Sequence, residues 1–451
     1  MSEVDVSHAT GDVEVARPSH TLANGEPRIF VEDSRALPLV SIAIALRSGA
    51  SSDPVGKEGL TRVMVRMLRR GCRGMSSHEF EETVDLLGAE ISADVSSSVI
   101  TLHADVITRS LDRVVDLLAT MMAEPTFDEV EIGKLLRETQ GEIVEARDSD
   151  RSLATRHFRR LVFEGHAYGR RVGGTIPTVL GLTQADVRAH HAHHFKRGNI
   201  AIAFAGDVRE ARAAELAERL LAALPQGRPV PSEIASPERH GKRRLVFVDK
   251  PERTQTQILL GEVGSHPRDA DHIALHVATT IFGGTFTSRM MRAIRSERGW
   301  SYGAYARLPY DKERDAFSMW TFPAAKDAAA CIALELQLLQ AWREKGISAR
   351  ELAFAKRYLV RSHAFDIDTP QKRVHQRLDV DLFDLPADYH DKYIDHVQAV
   401  TLDEANESTR RRVSSDDLVV SVVGTHAEIG EAVATAVPGL AKVEVVAYDA
   451  E

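Results

Sequence analysis

Cysteine is nearly absent: Cys72 and Cys331 are the only two in 451 residues. They lie far apart in sequence, and neither belongs to a Cys-x-x-Cys pair. This excludes a disulfide framework and a thiolate metal site, and points to a reducing compartment. No apolar run approaches the ~20 residues that cross a bilayer. The first twenty residues lack a basic start followed by an apolar stretch, so no secretory leader is expected. Cytoplasmic location, with no membrane partner, is the expectation. Positive charge is not in excess. Lys and Arg number 57 against 66 Asp and Glu, a net charge of −9 with no basic or acidic tail. No nucleic-acid partner is expected, because nothing would drive phosphate neutralisation. Gly-x-Ser-x-Gly, P-loop and dinucleotide-binding fingerprints are all missing.

What is present fits a soluble globular protein, with 43% hydrophobic and 27% charged residues. The length exceeds one ordinary core and implies two or more domains. Residues 1–25 are polar and aperiodic, an expected arm. Leu37–Leu46 is apolar and rich in β-branched residues, a predicted strand. Lys57–Arg70 is a predicted helix, with Leu60, Val63, Met64, Met67 and Leu68 forming one apolar stripe. Ser76–Gly88 is a further helix, with Ser77 as its expected cap. Glu90–His103 alternates as one or two strands. Thr108–Ala123, Phe127–Ala146 and Thr183–Phe195 read as helices, and Asn199–Ala205 as a strand. Residues 225–243 carry Pro, Gly and charge with little periodicity and form the expected linker. They divide a 26–224 domain from a 244–451 domain. Gln255–Leu260, Asp269–Phe282 and Asp417–Val423 then read as strand, helix and strand. The spacing from Gly49 to Gly206 resembles that from Gly264 to Gly424, which suggests an internal duplication. Long helices among strands without strict alternation indicate α+β domains.

Two stretches carry a resemblance. The first is Asp53-Pro54-Val55-Gly56-Lys57-Glu58-Gly59-Leu60-Thr61, followed by Arg62-Val63-Met64-Val65-Arg66. The second runs from Phe282-Gly283-Gly284 through Ser288-Arg289 to Arg295 and Tyr302. Both are similar to segments of the pitrilysin/processing-peptidase (M16) family of zinc peptidases. Weaker similarity extends to His166–Arg170 and His194–Asn199, so the likeness covers about Leu37 to Gly424. It implies two homologous α+β domains of the LuxS/MPP-like metallohydrolase type, each a mostly antiparallel sheet packed against helices. Active members carry His-x-x-Glu-His on the first helix: two histidines hold zinc, the glutamate activates water, and a later glutamate is the third ligand. Here Arg62 and Arg66 stand at the histidine positions and Val65 at the glutamate. Glu142 matches the third ligand, and Asp148 also fits the pattern.

Arginine has donors and no lone pair for a metal, so no metal is expected in this chain. Arg62 or Arg66 paired with Glu142 is one expectation; three ordinary surface charges is the other. In the family, an arginine and a tyrosine seven residues later hydrogen-bond substrate near the scissile bond. Arg295 and Tyr302 match them, against the plain alternative of a surface arginine and a half-buried tyrosine. The resemblance thus implies the zinc-free member of a heterodimer, inactive alone. It would supply Arg295 and Tyr302 to Zn²⁺ held by a homologous subunit carrying His-x-x-Glu-His, with a peptide as substrate. A structural assembly subunit and a peptide-binding module remain alternatives. The polar strand near Glu90–Ser98 is either a peptide-accepting edge or an edge kept soluble by its polarity. His190 and His194, four apart, are a weak candidate metal pair without further ligands in reach.

Overall fold

The computed structural model describes residues 28–228, 230, 234–414 and 416–450. The expected arm and part of the expected linker lie outside them. The first half contains β1 (Arg28–Asp33), β2 (Leu39–Leu46), the short hairpin β3 (Gly71–Cys72) and β4 (Met75–Ser76), β5 (Ala89–Val95), β6 (Ile100–Ile107) and β7 (Ile200–Gly206). The second contains β8 (Arg243–Asp249), β9 (Gln257–Val263), β10 (Ala304–Arg307), β11 (Ala316–Thr321), β12 (Val419–Gly424) and β13 (Leu440–Ala447). One sheet runs β1-β7-β2-β6-β5, the other β13-β8-β12-β9-β11-β10. Apart from β13 they have one topology. β1–β7 and β8–β12 are the matching parallel pairs, and the pairs from β7 to β5 and from β12 to β10 are antiparallel. The expected α+β fold and duplication are both present.

The large and small residues along the central strands explain how each sheet is covered. In β7 (IAIAFAG), Ile200, Ile202 and Phe204 face the main core of the first half. Ala201, Ala203 and Ala205 face the other way, as do Ala43 and Ala45 of β2. That flat, small-residue face receives Val374, Leu378 and Leu382 from the helix Pro370–Leu382, which belongs to the second half. The reverse also holds. The helix Asp150–Val162 of the first half lays Leu153, Ala154, Phe158, Leu161 and Val162 on the outer face of the second sheet, against Val246, Val248, Leu259, Val419 and Val423. Ser421 Oγ donates to the carbonyl of Ala154 at 2.9 Å. Each half therefore completes the other's sheet.

Ion pairs frame both exchanged helices. Buried Asp381 accepts from Arg28 and Arg47, and Glu32 accepts from Arg373 and Arg377 at 2.8 and 3.2 Å. Around the other helix, Arg244 pairs with Glu164 at 2.9 Å and Lys250 with Asp150 at 2.7 Å. Neither exchanged helix stands out in the sequence, because each presents a narrow apolar face among charges. The strand β1 and the helix Glu210–Ala222 were likewise not evident.

Local differences have local causes. The first helix spans Leu60–Met67 rather than Lys57–Arg70, because Gly59 stands before it at φ 98° and breaks the helical path. Ser76, not Ser77, caps the next helix, Ser77–Leu87: the Ser-x-x-Glu spacing to Glu79 closes a capping box only from Ser76. Asp148 lies in the 3₁₀ turn Ala146–Asp148 beyond the helix Glu129–Glu145.

The exchange predicts that the halves unfold together. Phe158→Ala should cost about 3–5 kcal/mol and Leu378→Ala about 2–5 kcal/mol, each shifting a single urea transition. Two transitions, with only one displaced by either change, would show that the halves are independent.

Candidate functional site

The helix Leu60–Met67 has two faces with different tasks. Leu60, Val63, Met64, Val65 and Met67 are buried in the first core. Val65 is 2% exposed and belongs to that core. Arg62 and Arg66, one turn apart, project toward the helix Glu129–Glu145 and meet Glu142. Arg62 Nη2 lies 3.0 Å from Glu142 Oε2. Arg66 grips both carboxylate oxygens, with Nη1 at 3.0 Å from Oε2 and Nη2 at 2.8 Å from Oε1. Its Nη1 also donates to Thr139 Oγ1 at 3.2 Å, and Glu138 stands 3.9 Å from its Nη2. One carboxylate thus holds two guanidiniums in a charge-assisted, partly bidentate cluster.

The hidden face of the same helix is pinned by a polar chain. Asp53 accepts from the backbone of Gly59 and Thr61 and from Thr61 Oγ1, at 2.8, 2.8 and 2.6 Å. Thr61 Oγ1 also meets His190 Nε2 at 2.8 Å. His194 stacks edge-on against His190, ring centroids 4.3 Å apart, and contacts Ser52 Oγ at 3.3 Å. Burial pushes His190 down to about 4 and His194 to about 3, and raises Asp53 to about 6. These histidines are buried neutral groups that fasten the helix Gln184–His194 to the first helix.

A nearby turn is built for the same purpose. Gly169 has no room for a Cβ, which would meet Phe163 O at 2.5 Å. Arg170 donates to the carbonyls of Ser51 and Asp53 at 2.6 and 2.7 Å.

The second cluster lies in the other half. Two π-helical segments, Thr280–Gly284 and Met291–Ser296, flank the turn Thr285–Ser288. Such segments are rare and frequent at functional sites. Gly283 is required by close approach, since a Cβ would lie 2.3 Å from Ala306 N of β10. Arg295 is clamped between two aromatic rings, 4.3 Å from the Phe286 centroid and 4.4 Å from that of Tyr302. Its Nη1 is buried without a hydrogen-bond partner. Phe286 and Tyr302 are 64% and 73% exposed. Tyr302 stands two residues before the edge strand β10. The stacking role of Phe286 was not evident in the sequence. No hydrogen bond or ion pair joins this cluster to Arg62, Arg66 and Glu142 among the described residues.

Zinc does not fit the first cluster. Two guanidiniums offer no lone pair, the one carboxylate is engaged by both, and no group of three His, Cys, Asp or Glu suited to a metal occurs among the described residues.

Fold and site together define a protein of two α+β units of one topology, the first carrying a cluster of Arg62, Arg66 and Glu142. The chain belongs to peptidase family M16. Residues 28–176 match the model described as Insulinase (Peptidase family M16), and residues 181–359 that described as Peptidase M16 inactive domain. It is 19% identical over 397 residues to the non-peptidase homolog YmxG of Helicobacter pylori, covering 88% of this chain and 91% of that protein. Its fold is similar to a peptidase M16 inactive domain from Pseudomonas fluorescens, with TM-score 0.83, 22% identity and coverage of 89% and 96%. It also aligns with the periplasmic protease PqqL of Escherichia coli, with TM-score 0.74, 15% identity, 92% of this chain and 49% of that one.

Two predictions follow from this chemistry. Arg62→His with Arg66→His should gain Zn²⁺ binding by calorimetry where the parent shows none, and adding Glu142→Ala should weaken it; equal Zn²⁺ binding by parent and double variant would contradict the assignment of these positions. The second concerns acid. Burial holds His157, His190, His191, His194, His272, His276 and His390 at about 3 to 4. Unfolded histidine titrates near ~6.5, so below that pH the unfolded chain takes up protons first and stability falls. Buried Asp53 and Asp379, at about 6, and Glu262 and Glu335, at about 8, act in the opposite sense but are fewer. The urea midpoint should drop between pH 6.5 and 4.5; a midpoint that rises over this range would refute the neutral burial of the histidines.

Proposed function

We propose that this chain is the zinc-free subunit of a two-chain M16-type peptidase. It supplies Arg295 and Tyr302 to a zinc site on a homologous subunit that carries His-x-x-Glu-His, for cleavage of peptides or unfolded segments. The observation that carries the reading is the Phe286–Arg295–Tyr302 clamp, a fixed guanidinium with an unused buried donor beside an exposed phenol. The first cluster supports it from the other direction, since Arg62 and Arg66 offer a metal no lone pair and engage the one carboxylate, Glu142. The alignment with one half of PqqL supports a pairing of two such units.

The partner's zinc would supply the activated water. What this chain contributes is electrostatic. The guanidinium is permanently charged, and its aromatic walls limit its motion. Its free donor and the Tyr302 hydroxyl can hold a peptide carbonyl in the ground state and bind the oxyanion more strongly as charge develops there. The edge strand β5, paired with β6 alone among the described residues, can take up the peptide as an added strand. Cys72 and Cys331 are free and buried, which suits assembly in the cytoplasm.

The test is co-expression with a His-x-x-Glu-His chain. The pair should cleave peptides and this chain alone should not. Arg295→Ala should lower kcat/KM of the pair by about 10²–10³, as for loss of an oxyanion donor, with Phe286→Leu giving a smaller loss. Full activity from the partner without this chain would defeat the proposal.

A further inference from the structure

A cavity of about 650 Å³ opens beside the aromatic clamp, a size that suits a small ligand or the end of a peptide. The turn Thr285–Ser288 forms one side, and the start of the helix Ala349–Ser362 forms the other. Thr285 and Thr287 line it, and Phe286 between them covers Arg295. Arg292 lines it too, on the same π-helical segment that carries Arg295.

One ion pair ties the two sides together. Arg289 Nε and Nη2 donate to Glu351 Oε1 and Oε2 at 2.8 and 2.7 Å. The backbone N–H and hydroxyl of Ser348 donate to the same carboxylate at 2.8 and 2.9 Å. Burial would raise Glu351, but Arg289 and Ser348 hold it down at about 2. Glu351 therefore stays charged and cancels Arg289, and among the described residues it is the only acid in the lining. Arg292 and Arg350 supply the remaining charge. Both are exposed, and among the described residues neither guanidinium has a hydrogen bond, an ion pair or a ring partner. The lining thus carries a surplus of positive charge. It is also apolar at Ile281 and Phe354. Phe354 is 40% exposed, and Tyr358 stacks on it with ring centroids 6.3 Å apart and planes 14° from parallel. An aromatic shelf and two unpaired cations therefore share one cavity.

We infer that this cavity receives the C-terminal end of a peptide, its carboxylate on Arg292 and Arg350 and its last side chain on Ile281 and Phe354. The two surfaces together select a carboxylate and an apolar group within one residue. At a chain end both leave the same Cα. An internal Asp or Glu brings a carboxylate with no apolar side chain of its own, and an inorganic anion brings no apolar group at all. Guanidiniums from two different elements can each hold a carboxylate oxygen, while the shelf takes the last side chain out of water. The inference deepens the peptidase reading and rests on it for one consequence: a peptide anchored here by its end has its preceding residues beside Arg295 and Tyr302. Binding itself needs only this chain.

The test uses the full chain alone and fluorescence anisotropy with an eight-residue peptide, labelled at its N-terminus and ending in leucine with a free carboxylate. Its counterpart ends in leucine amide. The free acid should bind about tenfold or more tightly, and the difference should shrink as salt rises. Arg292→Gln with Arg350→Gln, both at exposed positions, should remove the difference. Glycine in place of the last leucine should weaken binding about fivefold or more, and Phe354→Ala should abolish that dependence. Equal affinity for acid and amide, or a difference that survives in the double variant, would overturn the inference. So would an amidated peptide with an internal glutamate that binds as tightly as the free acid, which would mark a site for acidic side chains instead. The two readings fail separately. Free-end binding with no activity in the co-expressed pair removes the peptidase reading; an active pair with no preference for the free end removes this one.

Discussion

The structure depends on a reciprocal covering of sheets. Each sheet has one face filled by its own helices and one by a single helix from the other half. The sequence provides for this by alternating bulky and small residues along β2 and β7 and placing serine among the valines of β12. Without the exchanged helices, a face of alanines in one half and a face of valines in the other would stand in water. The same constraint decides where chemistry can be placed. The helix Asp150–Val162, its apolar side committed to the other half's sheet, reaches that half with its polar residues too: Arg151 lies over Trp320 and Arg159 pairs with Asp315.

The first cluster is held by a frame of its own. The helix Leu60–Met67 still docks through Thr61, Asp53 and His190, and still points two residues one turn apart at Glu142. Those residues are arginines, and the carboxylate is their counter-ion. At roughly a third exposure such pairs add little stability. Their effect is to satisfy a carboxylate and to hold two helices in register.

Much of this was legible in the sequence, and the exceptions have physical causes. The strands around Leu39–Leu46 and Val419–Gly424 announced themselves because a strand buried on both faces is apolar throughout. The first helix was readable from its single stripe. The exchanged helices were not, because Asp150–Val162 devotes much of its surface to arginine and histidine and its apolar contacts are set by a distant part of the chain. At the site, the meeting of Arg62 and Arg66 with Glu142 could be anticipated only through family resemblance, since spacing in sequence does not bring two helices together. Phe286 stood within a segment already singled out, yet its value as a ring over Arg295 depends on loop geometry. The arginines of the helix Asp150–Val162 belong to a dense run of Arg between 147 and 171, but a run of charge on a helix ordinarily means a solvated face.

The π-helical segment Met291–Ser296 has a bearing on how the aromatic clamp arose. A π-turn holds one more residue than an α-turn, as an insertion into a regular helix would produce. Each residue advances an α-helix by about 100°, so the extra one sets the azimuth of everything beyond it. Arg295 meets Phe286 and Tyr302 from that altered azimuth. Excision of a single residue would restore an ordinary helix and still swing the guanidinium out from between its rings. The clamp is thus encoded as much in residue count as in residue identity, a form of specification that a comparison of side chains alone would overlook.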